Sequence, residues 1–407
     1  MSQVIEIDPS TRIEGHAKMV LTADDEGIIQ DSSFYSTSLV RGFEYLVRGR
    51  TPEFVIKLVQ RICGICPIPH GLASAEAIEN AIGISAPEKA HTLRELLLIA
   101  NTMQSHALHQ YLLIPDLPLS DEEKKDMSER IHRIRHNTQR MADIIGGEAI
   151  HPSNICVGGM YDDVSSLASA KMYRHMRECE RIVSDQRDTM IVAIEKYIDN
   201  LEHPPIEYHE SMLATDMNYG NRSKLDLSAI SEITPYRFYD EDNPSRAGCT
   251  NIPLYYGETV EAGPRARLTL FKGFHGKTPI DINIARAREM MIYVYRALEL
   301  LDELDKKGNV RTKFEYRPGE GLGVVEAPRG TDIHTVTIGE EGRVEGYNII
   351  APTTWNIPTT EKAMLGNHYS IAEMIMRSYD PCVECATHQI IVKDLDGHII
   401  ERGCRLG

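Results

Sequence analysis

The sequence predicts an α+β protein that is mainly α-helical, with a bundle of long helices and β-hairpins at its periphery. Two observations predict this class. Apolar residues recur every three or four positions over several long stretches, as in helices with one buried face. Shorter stretches alternate apolar and polar residues beside turn-forming residues, as antiparallel strands do. A hydrophobic content of 42% in 407 residues is enough for a substantial core.

The N-terminal part of the sequence predicts strands and then helices. VIEI, HAKMVLTA and IIQDSSFYS alternate around the turn ADDEG, which predicts a hairpin. The stretches PEFVIKLVQRI and EKAHTLRELLLIANTMQSHALHQYLLI have helical periodicity, which Pro115 stops. Ser120 and Glu123 form a capping box for the next helix, and Gly146 and Gly147 end it.

The remainder of the sequence predicts further helices and a second group of strands. Helices are expected from about Val164 to Leu201, from Ile282 to Lys307 and from Ala372 to Arg377. Residues 205–265 are rich in Pro, Tyr, Asn and Gly, which favours loops and short strands. Strands are predicted at KFEYR, GVVEA, TVTIG and VEGYNII. Because no repeat or low-complexity linker interrupts the chain, we expect one domain.

The charge of the chain excludes some classes of partner. A net charge of −16 argues against nucleic acid or an anionic membrane surface, since both attract basic proteins. No apolar run approaches the roughly 20 residues of a membrane helix, and the N-terminus lacks the pattern of a signal peptide. We therefore expect no transmembrane segment and a cytoplasmic location, with peripheral membrane association or export on a partner's signal as the alternatives.

Two C-x-x-C pairs are the candidates for chemistry. Cys63 and Cys66 lie near the start of the chain, and Cys382 and Cys385 lie near its end. Each pair can direct two thiolates at one metal ion. A structural zinc site and a catalytic site for a soft metal are both compatible with this pattern, although zinc ribbons place their pairs closer together. A thioredoxin-like redox pair is less favoured, because neither pair lies in a βαβ setting.

The residues around both pairs resemble the large, catalytic subunit of NiFe hydrogenases. The motif R-x-C-G-x-C-x-x-x-H covers residues 61–70, and D-P-C-x-x-C-x-x-H covers residues 380–388. Five further motifs of the family are present, and all seven occur in the family's order: TRIEGH (11–16), VRGFE (40–44), SHALH (105–109), EAPRG (326–330) and PTTWN (352–356). The resemblance implies the fold of that subunit, in one catalytic domain at residues 1–388.

The resemblance also implies the metal ligands. The four thiolates of Cys63, Cys66, Cys382 and Cys385 would bind nickel in a Ni-Fe(CN)2(CO) centre, with Cys66 and Cys385 bridging to the iron. Glu44 and His388 would bind a second cation, Mg²⁺ or Fe²⁺, near the C-terminus. Oxygen and imidazole ligands suit such an ion.

Catalytic residues follow from the same motifs. Glu14 would relay protons, and Arg329 would lie over the open bridging position of the metals. Asp116 is the carboxylate expected to orient Arg329. Pro328 and Thr353 would line the cyanide pocket. The histidines His16 and His70 are interpreted as packing residues.

Within the family, the sequence resembles the alpha subunits of coenzyme F-420-reducing hydrogenases of methanogenic archaea, on phrases such as GGEAIHPSNICVGGM. This implies an iron–sulfur small (gamma) subunit and an FAD-containing (beta) subunit as partners, with H2 as substrate. A hydrogenase with another acceptor, NAD(P) or a heterodisulfide reductase, is the alternative. A relative of the quinone-binding subunit of respiratory complex I is a third hypothesis, but those proteins lack the cysteines.

The C-terminal stretch is interpreted as a maturation tail. The resemblance implies an endopeptidase that cuts between His388 and Gln389 once nickel is bound, which makes residues 389–407 a precursor segment. Within it, IIVKDLDGHII predicts a hairpin with an Asp-Gly turn. We expect removal of the tail to let Cys382 and Cys385 move inward and close the metal site.

Overall fold

A computed structural model of the chain describes residues 3–38, 41–240, 246, 250–304, 308–387, 391–393 and 399–402. Its strands pair almost entirely as antiparallel ladders. They are β1 (Gln3–Ile7), β2 (Ala17–Ala23), β3 (Ile29–Ser36), β4 (Ile155–Cys156), β5 (Gly159–Met160), β6 (Ser211–Leu213), β7 (Ile230–Ile233), β8 (Ile252–Tyr255), β9 (Val260–Ala262), β10 (Gly319–Ala327), β11 (Gly330–Ile338), β12 (Val344–Ile350), β13 (Ile391–Lys393) and β14 (Ile399–Arg402).

The α-helices are the largest class of secondary structure and include several of more than twenty residues. They are α1 (Phe43–Leu46), α2 (Pro52–Val59), α3 (Pro67–Ala81), α4 (Glu88–Leu113), α5 (Asp121–Gly146), α6 (Ser166–Asp199), α7 (Pro235–Tyr239), α8 (Pro264–Lys272), α9 (Ile282–Glu303), α10 (Pro352–Met364) and α11 (Ala372–Tyr379).

The long helices α4, α5, α6 and α9 pack side by side, each with one apolar face turned inward. Helix α5 begins at the predicted capping box, in which the Ser120 side chain accepts from the backbone N–H of Glu123. It ends at Gly147, whose φ of 79° is a left-handed conformation that glycine adopts at little cost. The predicted helix bundle is confirmed.

The strands lie outside that bundle. Strands β1, β2 and β3 form an antiparallel sheet in chain order, as predicted, and β10, β11 and β12 form a second one. Strands β13 and β14 pair within the C-terminal stretch, which confirms that hairpin, while its turn at residues 394–398 lies outside the described residues. The predicted strand KFEYR was wrong: residues 313–317 precede β10 without forming a strand.

Helix α3 packs directly on β10 because the strand carries glycines on that face. Added Cβ atoms at Gly321 and Gly323 would stand 2.0 Å from the carbonyl oxygens of Ala77 and Ala73 on α3. Gly321 and Gly323 share one face of the strand because they are two residues apart, and Ala73 and Ala77 share one face of the helix because they are four apart. The two pairs therefore face each other along the contact between β10 and α3. The close approach fixes the second half of α3 against the hairpin β10–β11.

Among the described residues, none of the helices is sufficiently long and apolar to cross a lipid bilayer.

Candidate metal centre

The four predicted cysteine ligands meet in the interior, each at most 6% exposed. Cys63 ends a 3-10 turn and Cys66 caps the N-terminus of α3, while Cys382 and Cys385 lie in the turn after α11. Arg41 ties the two loops together, since its guanidinium donates to the carbonyls of Ile62 at 2.5 Å and Glu384 at 2.6 Å. Residues distant in the sequence thus form one pocket.

The four sulfur atoms form a compact group. The Sγ distances are 3.3 Å from Cys63 to Cys382, 3.3 Å from Cys66 to Cys385, 3.9 Å from Cys66 to Cys382 and 2.9 Å from Cys382 to Cys385. All four are free thiols. Their Sγ atoms all lie within 4.8 Å of one another, and the expectation that removal of residues 389–407 closes this site stays a prediction.

The thiols perturb one another's ionisation. Hydrogen bonds from Cys382, Cys385 and Cys63 lower the pKa of Cys66 well below its usual value. Burial raises the pKa of Cys382 and Cys385 well above theirs. Ionisation of one thiol therefore disfavours ionisation of the neighbouring thiols. All four can be ionised together only with a cation among them. Buried thiolates in this arrangement suit a soft or borderline metal ion, so the donor set fits nickel and iron.

Glu14, the predicted proton relay, lies against Cys382. Its Oε2 accepts from the Cys382 thiol at 2.9 Å, and its backbone forms a parallel bridge with Cys382. Burial raises the pKa of Glu14 to about 7, although the hydrogen bond from Cys382 lowers it. A carboxyl group with this pKa can both accept and release a proton near neutral pH.

Arg329 faces the cluster from the loop between β10 and β11. The side-chain oxygen of Asp380 lies 2.9 Å from its Nη2, and the Ser105 hydroxyl accepts from Nη1 at 3.2 Å. Burial lowers the pKa of the guanidinium, but Asp380 and the nearby thiols raise it well above its usual value. Arg329 is therefore a fixed buried cation beside the sulfur atoms.

Asp116 was wrongly predicted to orient Arg329. It lies in a 3-10 turn after α4, where its carboxylate accepts from Arg12 at 2.8 Å and from Arg377 at 3.1 Å. The carboxylate beside Arg329 belongs to Asp380 instead. Asp380 in turn lies 3.4 Å from Nδ1 of His109.

Of the two residues predicted to line a cyanide pocket, Thr353 contacts the cluster and Pro328 lies beside Arg329. The Thr353 hydroxyl, at the start of α10, accepts from the backbone N–H of Cys382 at 2.9 Å. Because a hydroxyl that accepts still has one proton, Thr353 can also donate to a ligand. Pro328 immediately precedes Arg329 and is buried, and its carbonyl accepts from Arg267 at 3.3 Å.

His70 is more than the packing residue that we expected. It lies one turn into α3, and its Nε2 is 3.4 Å from Sγ of Cys385. Its Nδ1 is 3.0 Å from the Asp332 carboxylate and 3.0 Å from Nε2 of His334. The motif already contained His70. Its partners Asp332 and His334 could have been found from the sequence as two polar residues, two positions apart, in the otherwise apolar strand β11. That spacing places both on one face of the strand.

The predicted second cation site is described only in part. Glu44 on α1 is fully buried, and its Oε1 accepts from the backbone N–H of Ile349 on β12 at 2.8 Å. Burial raises the pKa of Glu44 well above its usual value. A bound cation would stabilise the ionised carboxylate and so lower that pKa. The other predicted ligand, His388, lies outside the described residues.

The chain matches a known family over separate parts of its length. The family described as nickel-dependent hydrogenase matches residues 41–115 and 278–388, and one described as HoxL-like matches residues 4–39. The chain is 43% identical to the coenzyme F-420 hydrogenase subunit alpha of Methanocaldococcus jannaschii, over 98% of this chain and 97% of that one. Identity to the same subunit of Methanothermobacter thermautotrophicus is 40%, over 98% of both chains.

Among solved structures, a NiFeSe hydrogenase of D. vulgaris Hildenborough superimposes with a TM-score of 0.82 at 24% identity, covering 95% of this chain and 100% of that one. The predicted hydrogenase large-subunit fold is confirmed. The chain belongs to the nickel-dependent hydrogenases. Within them it is most like the alpha subunits of coenzyme F-420 hydrogenases, which confirms the resemblance inferred from the motifs.

Proposed function

We propose that the chain is the catalytic subunit of a coenzyme F-420-reducing hydrogenase, which splits H2 heterolytically and reversibly in methanogenesis. The observation that carries the proposal is the buried four-thiol pocket with Glu14 on one side and Arg329 on another. Near full-length similarity to two alpha subunits of that name supports the choice of acceptor.

The pocket would hold a Ni-Fe(CN)2(CO) centre through the thiolates of Cys63, Cys66, Cys382 and Cys385. The chemistry that this group supplies is soft Lewis-acid polarisation of H2. The chain supplies the surroundings. Pro328 and Thr353 flank the pocket, where the Thr353 hydroxyl is placed to donate to a cyanide nitrogen.

The proton path begins at Cys382. Its sulfur and the Glu14 carboxyl oxygen are 2.9 Å apart, so a proton on the thiol can pass to the carboxylate without a bridging water. A Glu14 pKa of about 7 keeps the protonated and ionised states of its carboxyl group close in energy near neutral pH. Glu14 is only partly buried, so it can pass the proton onward to the surface.

Arg329 supplies positive charge at the opposite side. Its guanidinium is 5% exposed and is anchored by Asp380, so it cannot rotate freely away from the pocket. A fixed cation in a water-poor site stabilises negative charge that develops beside it more strongly than it would in water. We infer that Arg329 orients and polarises H2.

Electrons would leave through partner subunits. In the described part of the chain, the groups that could hold a metal are the four cysteines and the set of His70, Asp332 and His334. The first is assigned to the nickel–iron centre and the second contains no thiolate, so neither provides for a series of iron–sulfur clusters. We propose an iron–sulfur gamma subunit next to this chain and a beta subunit with FAD that reduces coenzyme F-420, in a cytoplasmic hetero-oligomer.

Maturation would end with proteolysis of the tail. The match to the nickel-dependent hydrogenase family ends at residue 388, which supports a cut after His388 by a specific endopeptidase. We propose that the new chain end lets His388 join Glu44 at a second cation, Mg²⁺ or Fe²⁺. We propose that removal of the tail also lets Cys382 and Cys385 move inward and close the thiol pocket.

The decisive experiment is metal analysis and infrared spectroscopy of the purified complex. We expect stoichiometric nickel and iron, with absorption bands of carbon monoxide and cyanide. Zinc as the only metal would refute the proposal. The mass of the alpha chain from the same preparation is expected to correspond to residues 1–388, and a full-length chain in an active complex would refute the proposed processing.

A further inference from the structure

The turn that carries Arg329 is held through its main chain as well as through its side chain. Ala327 and Gly330 pair with each other at the end of the hairpin β10–β11, and the two residues between them form its turn. The carbonyl oxygens of Ala327 and Pro328 accept from the guanidinium of Arg267 at 2.9 and 3.3 Å. Arg267 lies on α8 and is fully buried. A shift of the turn would break both bonds.

The start of α8 packs directly against the same turn. Gly263, the residue before the helix, has a φ of 115°, and an added Cβ atom there would stand 2.8 Å from the carbonyl oxygen of Arg329. That oxygen also accepts from the side-chain amide of Asn356 at 3.1 Å. The three carbonyl groups of residues 327–329 are thus all bound by buried side chains, two of them by Arg267.

Arg267 uses all five of its N–H groups. Its Nε donates to Oε1 of Glu289 at 2.7 Å, and its Nη2 donates to Oε2 at 2.9 Å. Its Nη1 donates to Glu326 on β10 at 3.4 Å, and the other two N–H groups bind the carbonyls of the turn. Because the five donors of a guanidinium form a rigid planar fork, their acceptors are held in fixed positions relative to one another.

The two carboxylates that Arg267 binds are themselves fixed. Glu289 on α9 lies 2.9 Å from Nε2 of His106 on α4, and Glu326 accepts from the backbone N–H of Thr215 at 2.8 Å. All of these side chains are buried. A buried polar network in which each hydrogen bond is made is rigid and specifies one arrangement. The turn is therefore connected through Arg267 to two long helices of the bundle.

We propose that Arg267 is a positioning residue for Arg329, which holds the turn so that the Arg329 guanidinium stays beside the thiol cluster. Asp380 holds the end of that side chain, and Arg267 holds the backbone from which the side chain begins. The inference rests on the proposed function, in which Arg329 orients and polarises H2.

The test is Arg267→Lys in the purified complex, with H2-dependent dye reduction normalised to nickel content. Lysine keeps the positive charge between the two carboxylates, but its ammonium group has three donors on one nitrogen and cannot bind all five acceptors. Turnover per nickel is expected to fall roughly 10- to 10²-fold, because small displacements of a group that orients the reacting molecule are costly.

The matched control is Arg265→Lys, which is expected to keep the turnover of the parent. Arg265 is on the same helix, is equally buried and also pairs with a glutamate, since its Nε donates to Glu261 at 2.7 Å. Its remaining contact is the carbonyl of Thr278 at 2.7 Å and not the turn that carries Arg329.

A double variant separates positioning from a general structural role. Arg329→Lys alone is expected to lower turnover per nickel, and Arg267→Lys is expected to add no further loss in that background, because Arg267 acts through Arg329. If Arg267→Lys does not accumulate with nickel, Glu289→Gln is measured instead, since it withdraws one carboxylate oxygen from the fork. A smaller loss is then expected, and it is again expected to be absent in the Arg329→Lys background.

Three results would overturn the inference. They are parent turnover per nickel in Arg267→Lys or its replacement, equal losses in Arg265→Lys and Arg267→Lys, or losses that multiply in the double variant. Failure of the proposed function is distinct and would remove the inference with it. In that case Arg329→Lys itself keeps the turnover of the parent, or the parent complex lacks carbon monoxide and cyanide bands.

Discussion

Asp380 binds the guanidinium of Arg329 at two points, through its side-chain carboxylate at 2.9 Å and its main-chain carbonyl at 2.5 Å. Asp380 itself has a left-handed backbone conformation with φ of 52°, two residues before Cys382. One residue therefore positions both a cysteine of the thiol cluster and the cation beside that cluster. The carboxylate is held ionised, since Arg329 and His109 lower its pKa against the effect of burial.

Asp380→Asn is expected to reduce H2 uptake by about 10²-fold, because a misplaced Arg329 loses its alignment with the reacting molecule. The measurement is H2-dependent dye reduction by the purified complex, normalised to nickel content. Asp116→Asn is the matched control: it removes a carboxylate that also pairs with arginine but lies against Arg12 and Arg377. Equal losses in both variants would contradict the assignment of Asp380 as the orienting residue.

Glu14→Gln is expected to lower turnover by about 10²- to 10⁴-fold while the metal centre still assembles, since the amide keeps the shape of the side chain but cannot carry a proton. Turnover and the infrared bands are measured on the same sample. Glu384→Gln serves as a neighbouring control, because the Glu384 side chain is exposed and pairs with Arg41. Unchanged H2 uptake in Glu14→Gln would refute the relay.

Gly323→Ala is expected to destabilise the chain by at least about 2 kcal/mol and to reduce nickel incorporation, because the added methyl group would overlap the Ala73 carbonyl. Thermal denaturation and metal analysis check both effects. Glu320→Ala changes an exposed position of the same strand and is expected to behave as the parent. A fully loaded and equally stable Gly323→Ala variant would show that α3 does not need this close approach.

Glu361→Gln is expected to reduce the pH dependence of stability. Glu361 on α10 is 6% exposed, accepts from the Phe34 backbone at 2.6 Å and pairs with Arg246. Burial raises its pKa to about 7 from an ordinary value of 4.5. In the parent, the protonated carboxyl stabilises the fold below pH 4.5, and this stability is lost as pH rises to 7.

The loss amounts to about 1.4 kcal/mol per pH unit within that window. The melting temperature of the purified complex is measured at several pH values between 4.5 and 8. The parent is expected to lose more stability than Glu361→Gln between pH 4.5 and 7, and the two curves are expected to run parallel above pH 7. Parallel curves over the whole range would contradict a raised pKa of Glu361.

The thiol ligands could be predicted from the sequence because each pair lies within one short turn. A C-x-x-C turn is local, so its two sulfurs converge whatever the rest of the fold does. The orienting carboxylate could not be predicted in this way. Asp116 and Asp380 are both close in sequence to motif residues, and only tertiary packing decides that Asp116 meets Arg377 while Asp380 meets Arg329.

Helix α10 was not predicted for a related reason. Its sequence PTTWNIPTTEKAM contains β-branched residues and an internal proline, all of which disfavour helices in isolation. Almost every residue of the helix is buried, so packing overrides the local preference. The prediction of a strand at KFEYR failed in the opposite sense, since none of the strands among the described residues pairs with this alternating stretch.

The pocket is assembled from segments at opposite ends of the polypeptide. Glu14 pairs through its backbone with Cys382, and Arg41 joins the carbonyls of Ile62 and Glu384. During synthesis, a ribosome-bound chain would expose Cys63 and Cys66 long before Cys382 and Cys385 emerge. The complete thiol set is thus available only once translation is nearly finished, so an unfinished polypeptide cannot capture nickel in the four-coordinate arrangement.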